Sequence, residues 1–162
     1  MMAWRRIFGF IPVPVVYTDR LPEGVGGRAI GPLVQIRPKY RERGDEGLHQ
    51  HELDHVKQFW RLWLVSFVAL LWPLAGPEAL DLASQDALAY AAALALLPHT
   101  LLYHLARPYR LYAEAHAYKV QTRYPDGLGG ALTPAKAAMR LTAARYRLDL
   151  TFGEALEAIK RA

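Results

Sequence analysis

The residues with the most chemical capacity in this 162-residue chain lie in the stretch 49 to 58, HQHELDHVKQ, where His51, Glu52 and His55 form an HExxH pattern. A helix advances about 100° per residue, so His51 and His55 stand roughly 40° apart and one turn along the axis. Two imidazoles so placed can reach one metal ion. Glu52 lies beside them, an offset that suits a carboxylate handling the proton of a water next to the metal better than one binding the metal itself. A catalytic zinc takes three protein ligands and leaves one position open. The chain must therefore supply one more His, Glu or Asp.

The best candidate is Glu114, within residues 110 to 118, RLYAEAHAY. Alanines at 113, 115 and 117 would let this second helical segment approach a neighbouring helix closely. His116 points about 160° away from Glu114 on a helix, so the two cannot face the same ion. The spacing Glu114-x-x-Ala117 after an upstream HExxH resembles the gluzincins, and more closely the minimal gluzincins, small metallopeptidases with little beyond two metal-bearing helices and a sheet. The run His51 to Gln58 followed by Tyr109-Arg-x-x-x-Glu114-Ala115 also looks like small zincin-like proteins encoded by phages. The resemblance covers residues 28 to 124. It implies a zinc-dependent metallopeptidase with His51, His55 and Glu114 as ligands and Glu52 as general base, acting on a peptide or protein substrate. His116, two residues past Glu114, departs from the family pattern. Tyr118, His116 and Tyr112 are near the third ligand in sequence and are candidates for the donor that steadies an oxyanion. The competing reading is a non-catalytic protein, for example a virion component, that keeps the zinc as a structural clamp.

The length favours one domain over residues 1 to 162 with room for a real core. The absence of cysteine excludes disulfides and thiolate-ligated zinc, so a metal site rests on His and carboxylates. The net charge of +5 comes from Arg and Lys scattered without a run, which gives no reason to expect a nucleic-acid partner. Residues 1 to 10 superficially resemble a signal peptide. Pro12 and Pro14 interrupt the apolar run and no small-residue cleavage site precedes Asp19, so they read as mature sequence. A cytoplasmic protein is expected, or a virion-associated one if the chain is phage-encoded.

Val13 to Thr18 reads as a strand and residues 22 to 27 as a flexible Gly-rich loop. Arg28 to Arg37 reads as a second strand, with Ile30, Val34 and Ile36 on one face and Pro32 and Pro38 confining it to a sheet edge. Asp45 is a plausible N-cap for the metal helix, whose face carries Leu48, His51, His55, Phe59 and Leu62. His49 falls on the opposite side, without an assigned role. Two apolar stretches follow, residues 62 to 75 and 87 to 106, the second without a formal charge. The first would span about 21 Å as a helix, short of the roughly 30 Å of bilayer hydrocarbon. The second is long enough, but Pro98, His99, Thr100 and His104 break it. Buried core helices joined by a linker from Gly76 to Asp86 are therefore preferred over a membrane hairpin. Thr133-Pro134 opens a helix to about Tyr146, and the capping box Thr151 to Glu154 opens a last one to Lys160. The fold class expected is α+β, mainly helical: a small N-terminal sheet, an HExxH helix, an apolar helical hairpin and a Glu-bearing ligand helix.

Overall fold

The computed structural model describes residues 1–75 and 85–162; of the linker expected from Gly76 to Asp86, residues 76 to 84 lie outside them, and Gln85 and Asp86 are helical. The architecture is α+β and mainly helical, with a four-stranded N-terminal sheet of β1 (Met2–Ile7), β2 (Ile11–Tyr17), β3 (Gly27–Ile30) and β4 (Leu33–Ile36) in the order β1-β2-β4-β3. Strand β1 (Met2–Ile7) pairs antiparallel with β2 (Ile11–Tyr17), an element the sequence reading missed in the first ten residues. The turn between them has positive φ at both Phe8 (51°) and Gly9 (80°), the backbone of a tight hairpin turn that matches strand twist. Strand β2 tolerates its prolines because β4 pairs only with Val15, Val16 and Tyr17. At Pro12 and Pro14 the strand therefore has a single neighbour, and a missing N–H breaks no second ladder.

The single edge strand expected over residues 28 to 37 is instead a hairpin. Strands β3 (Gly27–Ile30) and β4 (Leu33–Ile36) fold back on each other around Gly31, whose φ of 55° and following proline make the turn. As a result β4 is internal, with Val34 and Ile36 fully buried, while Ile30 is 47% exposed and does not share their face. Only β3 is an edge.

A short helix α1 (Pro38–Glu42) leads into α2 (Glu46–Ala75). Asp45 caps α2 as expected, its Oδ1 accepting from the Leu48 N–H at 2.8 Å. At 30 residues α2 is about 45 Å long, so the first apolar stretch is a straight continuation of the HExxH helix. Its Leu53 and Val56 close a core with Ile7, Val13, Val15, Val34 and Ile36 of the sheet. His49, left without a role by the sequence reading, is buried there: Nδ1 meets the Asp45 carbonyl at 2.6 Å and Nε2 meets the Tyr17 hydroxyl at 3.0 Å, pinning α2 to β2.

The second apolar stretch forms two helices, α3 (Gln85–Leu94) and α4 (Leu97–Leu105), before α5 (Arg107–Gln121) carries Glu114. Helix α6 (Pro134–Leu141) starts from the Thr133 cap but stops short of Tyr146. Ala143 becomes extended and Ala144–Tyr146 is a separate 3₁₀ turn. The Thr151/Glu154 capping box opens α7 (Phe152–Arg161). Residues of α5, α6 and α7, among them Tyr118, Ala138, Leu141 and Ile159, form a second core. The expectation that both apolar stretches are buried core is not met: most of residues 64 to 72 and 86 to 105 face outward.

Candidate metal centre

Helices α2 and α5 pack closely because α5 presents Ala113 and Ala117, both fully buried, where a larger side chain would hold the backbones apart. A polar clamp fixes their register. Asp54, inside the motif next to His55 and buried, accepts from His116 Nδ1 at 2.6 Å and from Gln58 Nε2 at 2.7 Å. Gln58 Nε2 also donates to the Ala113 carbonyl at 3.2 Å. His116 therefore serves the helix contact, and Glu114 turns toward the histidines.

In that register His51 Nε2 and His55 Nε2 stand 3.3 Å apart. Glu114 reaches both, Oε2 at 3.7 Å from His51 Nε2 and Oε1 at 3.6 Å from His55 Nε2. One donor atom from each residue lies within 4.8 Å of the others, and all three side chains are buried, so the cluster could hold a metal ion. Glu114 Oε2 has no hydrogen-bond partner, which is the state of a carboxylate oxygen with a coordination bond to make. Two imidazoles and a carboxylate are also a donor set that divalent transition metals accept.

Electrostatics of the cluster run in the same direction. Burial alone would raise the Glu114 carboxyl, yet His55 and His51 hold it far below the usual carboxylate range. Burial alone would lower His55, but Glu114 overrides that and pushes its pKa up to about 9. The pocket thus prefers a positive charge facing Glu114, a role a proton or a metal ion can fill.

Glu52 is buried beside the cluster on the side of the sheet edge. A Cβ on Gly27 would come within 2.9 Å of its Oε1, so only glycine lets β3 run this close. Burial raises the Glu52 pKa against the opposing pull of His51 and His55. Gly27 to Ile30 form one wall of a cleft of about 750 Å³. The opposite wall includes His99, Tyr103, Tyr118 and Tyr146.

Of the three sequence candidates for a donor, the structure brings only Tyr118 to the cluster, its ring edge-on to His51 with centroids 4.6 Å apart. Its hydroxyl lies 2.7 Å from that of Tyr146, which Arg145 Nη2 approaches at 3.4 Å. His116 is engaged with Asp54, and Tyr112 lines no part of the cleft.

Sequence reasoning missed Tyr103, whose hydroxyl donates to Glu114 Oε1. A signal existed: His99, Thr100, Tyr103 and His104 are the polar residues of an apolar run and recur at helical spacing, and they all line the cleft. Arg145 and Tyr146 arrive from a remote 3₁₀ turn and had no such signal. Arg145 also donates to the Gly24 carbonyl at 3.1 Å, and Arg37 donates to Val25, Leu21 and Pro22 carbonyls, so the glycine-rich loop of the cleft wall is held from both ends. Comparison with protein-family models, curated proteins and solved structures finds no match for the chain.

Proposed function

We propose that this chain is a zinc-dependent metallopeptidase in which His51, His55 and Glu114 hold the metal and Glu52 is the general base. The observation that carries the reading is the convergence of three buried donors on one point, with a fourth, non-ligating carboxylate between them and a free strand edge. A bound zinc supplies Lewis acidity toward a carbonyl oxygen and a water molecule. The remaining work falls to side chains. Glu52, its basicity raised by burial, takes the proton of the attacking water and delivers it to the leaving amine. The outer edge of β3 pairs with an extended peptide and lays it along the cleft. Tyr118 and Tyr146, whose phenols burial pushes up in pKa, stay protonated at neutral pH; one hydroxyl donates to the other, and the proton left over donates to the developing oxyanion.

The test is Glu52→Gln, compared with wild type for metal content and for cleavage of an unfolded protein or a quenched peptide library. Gln keeps the size and loses the proton acceptor, so metal content stays the same and turnover falls by about 100- to 10,000-fold. Equal turnover in both proteins overturns the assignment of Glu52. Metal bound in both with no turnover in either selects the alternative, a zinc-binding protein in which the cluster is a structural clamp between α2 and α5.

A further inference from the structure

We infer that the hairpin formed by the distal half of α2 and by α3 docks this protein into a lipid bilayer. Helix α2 supplies the first observation. Beyond the motif its outward stripe runs Arg61, Leu64, Val65, Val68, Ala69, Trp72, and every member is exposed. On a soluble helix this stripe carries charged and polar residues. Here Arg61 is the only charge, and it stands at the root.

The partner arm repeats the pattern. Helix α3 descends antiparallel beside α2, with Trp63 Nε1 donating to the Ala92 carbonyl at 3.1 Å and, lower down, the Phe59 ring 5.7 Å from that of His99. The segment Asp86–Leu105 has the length and apolarity to cross a bilayer, yet only 11% of its most apolar window is buried. A core helix of that composition would be mostly covered. Of the 23 large hydrophobic side chains exposed among the described residues, 12 lie between Leu64 and Leu105. Its polar residues gather on the cleft side: His99 and Tyr103 are partly buried there and Thr100 and His104 line it while exposed, whereas Leu97 and Leu101 face out.

Lipid fits this surface better than a second protein does. The exposed apolar residues sit on the outer sides of both arms, so the hairpin is apolar around its circumference, whereas a protein partner covers one face. In sequence, Arg61 precedes the first uncharged run and Arg107 follows the second, so both basic residues belong to the root. A basic root is what anionic headgroups hold. The β1–β2 turn adds Phe8 and Phe10, both exposed, at the level of Arg61, whose guanidinium lies 5.6 Å from the Phe8 ring. Aromatic and arginine side chains together at the root form the usual border between hydrocarbon and headgroup.

The experiment is flotation of the full chain with phosphatidylcholine/phosphatidylglycerol vesicles, read without metal or substrate so that it is independent of the catalytic reading. Wild type floats with the vesicles. Val68→Glu, at an exposed position, weakens partitioning by about a hundredfold, while detergent-solubilised Val68→Glu keeps the circular-dichroism spectrum of wild type. Lipids brominated on the acyl chain quench tryptophan fluorescence of wild type, and Trp72→Phe loses much of that quenching. Protein that stays unbound as a detergent-free monomer overturns the inference. A detergent-free dimer whose Trp72 is shielded from aqueous quenchers, with no vesicle binding, assigns the surface to a second copy and overturns it as well.

Discussion

The helix clamp of Asp54, His116 and Gln58 gives the account its sharpest quantitative exposure, through Asp54→Ala. The Asp54 side chain is 3% exposed and accepts two hydrogen bonds, from His116 Nδ1 at 2.6 Å and from Gln58 Nε2 at 2.7 Å. Hydrogen bonds to a charged group contribute about 1.5 to 3 kcal/mol each. His116 is 26% exposed and can turn to water, so its bond is taken at the low end, and Gln58 keeps its bond to the Ala113 carbonyl. The pair together amounts to about 3 kcal/mol. At about 2 to 4 °C per kcal/mol for a chain of this size, thermal denaturation moves down by about 6 to 12 °C. A second consequence separates this role from plain packing. The clamp sets the register that turns Glu114 to His51 and His55, so metal affinity falls by about 10- to 100-fold, the usual cost of losing an outer-shell support. Calorimetry of metal-free protein and competition titration against a zinc chelator measure the two effects. A variant with unchanged melting temperature and unchanged affinity would refute the clamp.

Two other outcomes follow from the site. Gly27→Ala places a Cβ 2.9 Å from Glu52 Oε1 and displaces the carboxylate; turnover drops by about 10- to 100-fold in a peptide assay while metal content, by mass spectrometry, is unchanged. His55 carries its proton up to about pH 9 in the metal-free protein and must lose it to bind a metal. Apparent metal affinity therefore rises with pH, about tenfold per unit, and flattens above about pH 9, as a chelator titration across pH shows.

Much of the site was legible because helical spacing is local. His51, Glu52 and His55 follow from one turn of helix, and Glu114 was separable from His116 by a 200° rotation and by alanines that demand a close neighbour. The caps at Asp45, Thr133 and Thr151 were legible for the same reason. Groups that meet through the fold alone were not. Tyr146 and Arg145 reach the cleft only because α6 ends early, and the clamp joins residues 62 apart. The two β-hairpins were missed because proline and β-branched content suggested single strands, while the turns depend on positive φ at Phe8 and Gly31, the first an unusual residue for it. The apolar stretches were misread on a different ground. Composition tells that a helix avoids water, whereas whether protein or lipid replaces the water depends on what packs around it.

The most direct test of the central claim is metal analysis of the protein purified without added zinc, set beside His51→Ala/His55→Ala and Glu114→Ala. About one zinc per wild-type chain is expected, none in the double variant and a weakly held, chelator-labile ion in Glu114→Ala, if the three side chains are the protein ligands of one site. Metal content left untouched by removal of both histidines would place the ion elsewhere and contradict the account.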